Sequence, residues 1–343
     1  MKYAGLGNSS SDGNTTNRSS LLLYWITAAV IVTAWTISMQ ILEWWPIFEE
    51  TWPISVTMVL GSFIAGATSE GGGAVAFPVF TKLFNIEPQD AKVFSFFIQS
   101  LGMTMAGLFI YLKKIPVLWN VIFAALSAGI AGLVLGELFL VIPNPYPKLL
   151  FTFIAGIFAC FLIYNRWGIP DNPVKSFSFN RANNLIIILI TGFLGGLLAS
   201  VIGVGIDMLI FIVLTLLYGI DEKISTPTTV VLMGLLSVAG FVWHAGITSD
   251  VNPDVWRYWM SCVPIVIFGA PLGSWVCSKI GRDQLIWFLL FLIGIEVIST
   301  LWIIPITQDR ILILAMLTLF TSLLFYGLIR YRQINGNELS SSE

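Results

Sequence analysis

The sequence predicts an all-α polytopic membrane protein built as an inverted repeat. Each half is a glycine-broken re-entrant hairpin followed by three transmembrane helices, and one extra helix stands at each end. Three observations carry this reading. The chain is 57% hydrophobic and only 10% charged, whereas a soluble domain carries about 25% charged residues. Its apolar residues gather into runs long enough to cross a bilayer. Two of those runs, 54–84 and 186–219, are interrupted by glycines in corresponding places.

Taken in order, residues 1–20 are a Ser-, Asn- and Gly-rich stretch expected to form a flexible cytoplasmic tail. Asn-X-Ser/Thr patterns begin there at Asn8, Asn14 and Asn17, and they matter only in a secreted tail. The apolar run 21–41 is too long for a signal-peptide core and lacks a small-residue cleavage site. Residues 21–53 therefore read as an anchor helix and its loop. Plain segments follow at 91–112, 117–141, 148–167, 224–246, 257–280, 284–305 and 310–330. The first repeat occupies 54–167, a cytoplasmic linker 168–183, the second repeat 184–305, and a last helix with its tail 306–343.

Each broken segment needs its own explanation. As one helix, 54–84 would be about 46 Å long at about 1.5 Å per residue, against about 30 Å of hydrocarbon. A hairpin that enters and leaves on one face fits that length, and a double crossing fits equally. With both segments re-entrant and the tail cytoplasmic, the cytoplasmic face collects 12 Lys and Arg and the outer face 5. Single crossings would give 10 against 7, so the positive-inside rule favours the hairpins. The joints Asn85-Ile86-Glu87 and Gly219-Ile220-Asp221 match, and three plain crossings per half make the second repeat inverted. Both termini are then cytoplasmic, in a bacterial-type inner membrane.

The breaks carry the functional reading. Ser69 and Glu70 precede Gly71, Gly72 and Gly73, and Gly203 and Gly205 precede Asp207. Three glycines in a row cost about 1 kcal/mol each against Ala in a helix. They mark an unwound tip whose free N–H groups and positive helix end suit an anion. Paired interrupted segments in two halves of a chain point to a transporter's binding site. Ser95 and Gln99 follow the first hairpin; Thr228 and Thr229, beside the kink expected at Pro227, follow the second. All four are candidate substrate contacts, although Ser and Thr in membrane helices commonly bond their own carbonyls.

Four carboxylates fall in apolar segments, Glu70, Glu137, Asp207 and Glu296, and such groups are functional suspects by default. Glu70 and Asp207 flank the tips and are candidates for proton coupling or gating. Glu137 and Glu296 are expected to pair with polar neighbours. No Lys or Arg is expected within a membrane core. The single histidine, His244, sits at a helix end, and Cys160, Cys262 and Cys277 read as small apolar core residues. With no metal spacing, no nucleophile–base pair and no phosphate-binding loop, an enzyme or an ATP-driven pump is disfavoured. No cofactor is implied, and the near-balanced charge, formally −2, suggests no nucleic-acid partner.

The stretch GATSEGGGAVAFPVF, followed by a helix beginning near Ala91, resembles the sulfite exporter TauE/SafE family; Gly203-Val204-Gly205 and Thr228-Thr229 resemble its second-half counterpart. The second repeat departs from the pattern in having Ile210 where the first carries its proline. The resemblance covers roughly 54–305. It implies a secondary carrier of a small anion such as sulfite or an organosulfur compound, by proton-coupled export. The implied partners are that anion, protons and membrane lipid, with homo-oligomerisation left open. An anion channel is the first alternative and a membrane-embedded enzyme the second.

Overall fold

A computed structural model describes residues 12–167 and 182–303. The first eleven residues, nearly all of the expected linker and the expected helix 310–330 lie outside the described residues. Among the described residues the regular elements are helical: α1 (Asp12–Ile41), α2 (Ile47–Ala67), α3 (Gly73–Pro78), α4 (Pro88–Leu112), α5 (Trp119–Phe139), α6 (Tyr146–Trp167), α7 (Ala182–Ile202), α8 (Ile206–Ile212), α9 (Glu222–Phe241), α10 (Pro253–Cys277) and α11 (Arg282–Ile303). Eight of the described helices are long and apolar enough to cross a membrane. Trp25, Phe291 and Trp302 stand on the outer surface at 57%, 65% and 88% exposure, an apolar exterior that suits lipid rather than water. The chain is an all-α, multi-pass membrane protein.

Both glycine-interrupted segments break where their glycines lie, and both arms are unequal. The first arms, α2 and α7, are 21 residues each, about 31 Å long. The expected start of the first broken segment at 54 falls seven residues inside α2. The reason is local: α2 begins at Ile47, upstream of Pro53, which lies inside the helix. A proline near the start of a membrane helix removes few bonds that neighbours cannot replace. The returning arms are short. α3 and α8 each run on into a five-residue π-helical turn, Val79–Leu83 and Val213–Leu217.

Small residues set which helices touch. α2 lies along α10 in parallel, Ser55 Oγ donating to Ser261 O and Ser274 Oγ to Gly66 O. α7 lies along α5 in parallel as well. There a Cβ on Gly196 would come within 2.0 Å of Gly129 O, and one on Gly132 within 2.1 Å of Phe193 O. At the centre α4 crosses α9 antiparallel, Gly240 against Phe96 and Gly234 against Met103. Lipid tails are as apolar as leucine, so close packing of this kind is what holds membrane helices together. α1 is tied to α10 from outside by Tyr24 Oη to Ile267 O (3.1 Å) and Trp35 Nε1 to Met260 O (2.7 Å).

Gly196→Ala should therefore destabilise the protein by about 1–3 kcal/mol, the usual cost of overpacking. Gly156→Ala, with nothing within 4 Å of the added carbon, should leave stability unchanged or raise it. Thermal melts in detergent check the pair, and equal melting temperatures would contradict the packing described.

Candidate functional site

The two breaks meet in the interior. At the first, Thr68 turns extended after α2, its Oγ1 donating to Ile64 O and accepting the Glu70 N–H. Gly71 then adopts a left-handed φ of +70°, a conformation that side chains resist. At the second, α7 stops at Ile202, Gly203 and Gly205 take φ of +79° and +137°, and α8 begins. Thr68, Ser69, Glu70, Gly71, Gly203 and Asp207 are all buried.

Close approach, as much as φ, explains the glycines. A Cβ on Gly71 would lie 2.7 Å from both Asp207 Oδ2 and Gln99 Oε1, and 3.4 Å from Val204. One on Gly203 would lie 2.8 Å from Ser95 Cβ and 2.9 Å from Lys92 O. α4 runs past both breaks and fixes them: Gln99 Nε2 donates to Ser95 O (2.9 Å) and Gly203 O (3.0 Å). With its amide nitrogen so placed, Gln99 Oε1 faces the Gly71 tip. Asp207 caps its own helix, Oδ1 accepting the N–H groups of Gly205 and Met208, both at 3.0 Å.

At this junction three buried oxygens lack a hydrogen-bond partner among the described residues: Glu70 Oε1, Gln99 Oε1 and Asp207 Oδ2. Glu70 directly precedes Gly71, whose added Cβ would lie 2.7 Å from Asp207 Oδ2, so both acids belong to one junction. Buried acceptors of this kind are costly unless a donor or a positive charge joins them. The site is thus rich in acceptors, and the N–H groups at its second tip are already taken by a carboxylate.

The structure brings Ser69, Glu70, Gly71, Ser95, Gln99, Gly203, Gly205 and Asp207 together around these breaks. Gly72 turns the other way, against Ala65 and Gln99 Cγ, and Gly73 opens α3. Ser95 Oγ bonds Ala91 O within its own helix. Thr228 is engaged elsewhere, its hydroxyl donating to Ile224 O and accepting the Leu118 N–H that precedes α5. Thr229 Oγ1 donates to Thr226 O.

Two lysines, Lys82 and Lys92, are buried among the helices in ion pairs. Lys92 in α4 pairs with Glu137 at 2.8 Å, with side chains 4% and 6% exposed. Lys82, in the π-turn after α3, pairs with Glu296 at 2.6 Å and also donates to Thr300 Oγ1 and Ser299 Oγ. Glu137 and Glu296 are the acids singled out in apolar segments, and a buried acid calls for a nearby base. Both lysines lie near segment ends, Lys82 in 54–84 and Lys92 in 91–112, where the sequence reading counts them with the outer face. His244 is drawn in too, its Nε2 3.3 Å from Glu137 and its Nδ1 3.3 Å from Asp250. Cys160 is exposed on the apolar surface rather than in the core. Among the described residues, no group of His, Cys, Asp or Glu could hold a metal ion.

A family model described as "Sulfite exporter TauE/SafE" matches residues 54–300. The chain belongs to that family, whose members are membrane transporters of sulfur-related anions and not enzymes. No curated protein and no solved structure matches the chain.

The lysine pairs give an expected outcome for stability. Lys82→Met leaves Glu296 buried without its charge partner, which should cost about 3–5 kcal/mol. The double variant Lys82→Met/Glu296→Leu should recover part of that loss. Melting temperatures in detergent decide it, and no difference between single and double variants would show that the pair is not coupled.

Proposed function

We propose that this protein is a proton-coupled secondary carrier of a small oxyanion, sulfite or an organosulfonate, with its passage between the two glycine breaks. Glu70 and Asp207 are the proton carriers in this reading, and export across an inner membrane, with both termini cytoplasmic, is the direction it assigns. The observation that carries it is the set of three orphaned acceptors, Glu70 Oε1, Gln99 Oε1 and Asp207 Oδ2, at the meeting of two broken helices. A carboxylic acid proton supplies the donor this cluster lacks.

The coupling follows from competition. An oxyanion at the second tip needs the N–H groups of Gly205 and Met208, which Asp207 Oδ1 now occupies. While ionised, Asp207 both blocks those donors and repels the substrate. Two like charges about 4 Å apart at an effective dielectric of about 20 repel by roughly 4 kcal/mol, on the order of a thousandfold in affinity. Protonation removes the repulsion and loosens the grip on the donors. Loading of anion and proton are thereby linked.

An inverted repeat with re-entrant hairpins fits the same elements. The order long arm, break, short arm with π-turn, then three helices occurs twice. α2 with α10 and α7 with α5 form equivalent parallel pairs, while α4 and α9, equivalent in order, cross antiparallel. Opposite directions for equivalent helices are what inversion requires.

Reconstituted into liposomes, the protein should move sulfite together with measurable proton flux. Binding should strengthen as pH falls, because the protonated acids admit the anion. Asp207→Asn and Glu70→Gln should each flatten that pH dependence, and Gly71→Leu should abolish flux by filling the space between the tips. Proton flux unchanged in both acid variants would remove these residues from the coupling. Wild-type flux in Gly71→Leu would remove the tips from the passage.

A further inference from the structure

The carrier reading leaves one buried cluster unused. At the end of the bundle that holds the start of α4, a cavity of about 430 Å³ with mixed polar and apolar walls opens. Its walls come from Glu87 and Gln89 before and within α4, from Leu140 to Pro147 between α5 and α6, and from Ser200 and Val201 in the last turn of α7; Lys92 and Glu137 also line it. Val201 leads in two residues to Gly203, whose added Cβ would touch Lys92 O at 2.9 Å. The cavity therefore ends against the second break. At the opposite end, the cavity beside the first break, lined by Gly66, Thr226, Ser274 and Cys277 among others, holds only about 30 Å³. Of these two cavities the larger one, lined by Lys92, leaves more room for a small anion.

Lys92 and Lys82 are both buried, but their surroundings differ in kind. Lys82 Nζ is shared among four protein acceptors, Glu296 Oε1 and O, Ser299 Oγ and Thr300 Oγ1, and is locked. Lys92 Nζ bonds only the two oxygens of Glu137, at 2.9 and 2.8 Å, and borders the cavity. An ammonium has three protons to donate and forms charge-assisted bonds with any oxyanion that reaches it. Glu137 has a second partner waiting, His244 Nε2 at 3.3 Å, whose ring is in turn held by Asp250 and stacked on Phe96. The pair is therefore built to exchange.

We propose that Lys92 is the anion-capture residue of this vestibule: a small oxyanion takes its ammonium from Glu137, and His244 holds the released carboxylate. This rests on the carrier reading for what happens next, when the anion passes to the second break. The smaller cavity has a lysine of its own, Lys223 in the first turn of α9, but at about 30 Å³ it leaves little room for an oxyanion beside it.

The test uses sulfite as the probe, with the full chain in detergent and in liposomes. Lys92→Gln alone leaves buried Glu137 with His244 at 3.3 Å in place of its lysine and endangers folding, so the informative variant is Lys92→Gln/Glu137→Gln, which keeps a neutral pair. Its KM for sulfite should rise by about tenfold or more, the loss of one charge-assisted bond, and sulfite should no longer raise its melting temperature. Glu137→Gln, which frees the ammonium, should lower KM, and Lys92→Arg should retain sulfite-dependent stabilisation. A double variant with wild-type KM and wild-type stabilisation by sulfite overturns the proposal, as does a wild-type protein that sulfite does not stabilise. Stabilisation without flux in the wild type would instead overturn the carrier reading and leave the capture site standing.

Discussion

A helix interrupted inside a membrane must have its freed backbone groups satisfied by protein, because lipid offers them nothing. Everything around the two breaks answers that constraint. Thr68 and Asp207 turn their own side chains back onto the freed backbone. Gln99 reaches from α4 to the carbonyl of Gly203. The long arms are pressed against α10 and α5 by residues small enough to let backbones touch, and α4 and α9 close the middle. The glycines at the tips follow from the same demand, since only a residue without a side chain fits between the Gly71 backbone and the oxygens facing it.

The same burial sorts the charges into two kinds. Lys82 with Glu296, Thr152 and Thr300 fastens the end of the first returning arm to α6 and α11. Such a network restrains an element that has only a short helix to hold it. Lys92 with Glu137 borders a cavity, and at the breaks Glu70 and Asp207 each keep a buried carboxylate oxygen without a hydrogen-bond partner. A path for an anion and a proton needs groups that can change partner. On this account the locked pair belongs to the scaffold, and the other two clusters belong to the path.

Much of the architecture was legible because membrane spans are long and their apolar runs are hard to mistake. The breaks at Gly71 and at Gly203 and Gly205 were visible as local violations of helix preference, and the match to residues 54–300 bears out the family resemblance drawn from them. What escaped was set by tertiary contact. The start of α2 at Ile47 was hidden behind Pro53, and Lys82 and Lys92 were counted with the outer face because their partners are 214 and 45 positions away. Thr228 looked like a substrate ligand, yet its neighbour in space is the backbone before α5. That Asp207 caps its own helix, two residues beyond Gly205, depends on a side-chain direction no spacing reveals.

The central claim is that the junction of the two breaks is the passage itself. Val204 is its reporter, since its side chain faces Gly71 across the junction. In a background with Cys160, Cys262 and Cys277 replaced, Val204→Cys can be treated with a membrane-impermeant thiol reagent from each face in turn. The account predicts labelling from both faces as the carrier alternates, and protection by sulfite on both. Labelling that sulfite leaves unchanged, or a thiol unreactive from either face in protein that transports, would contradict it.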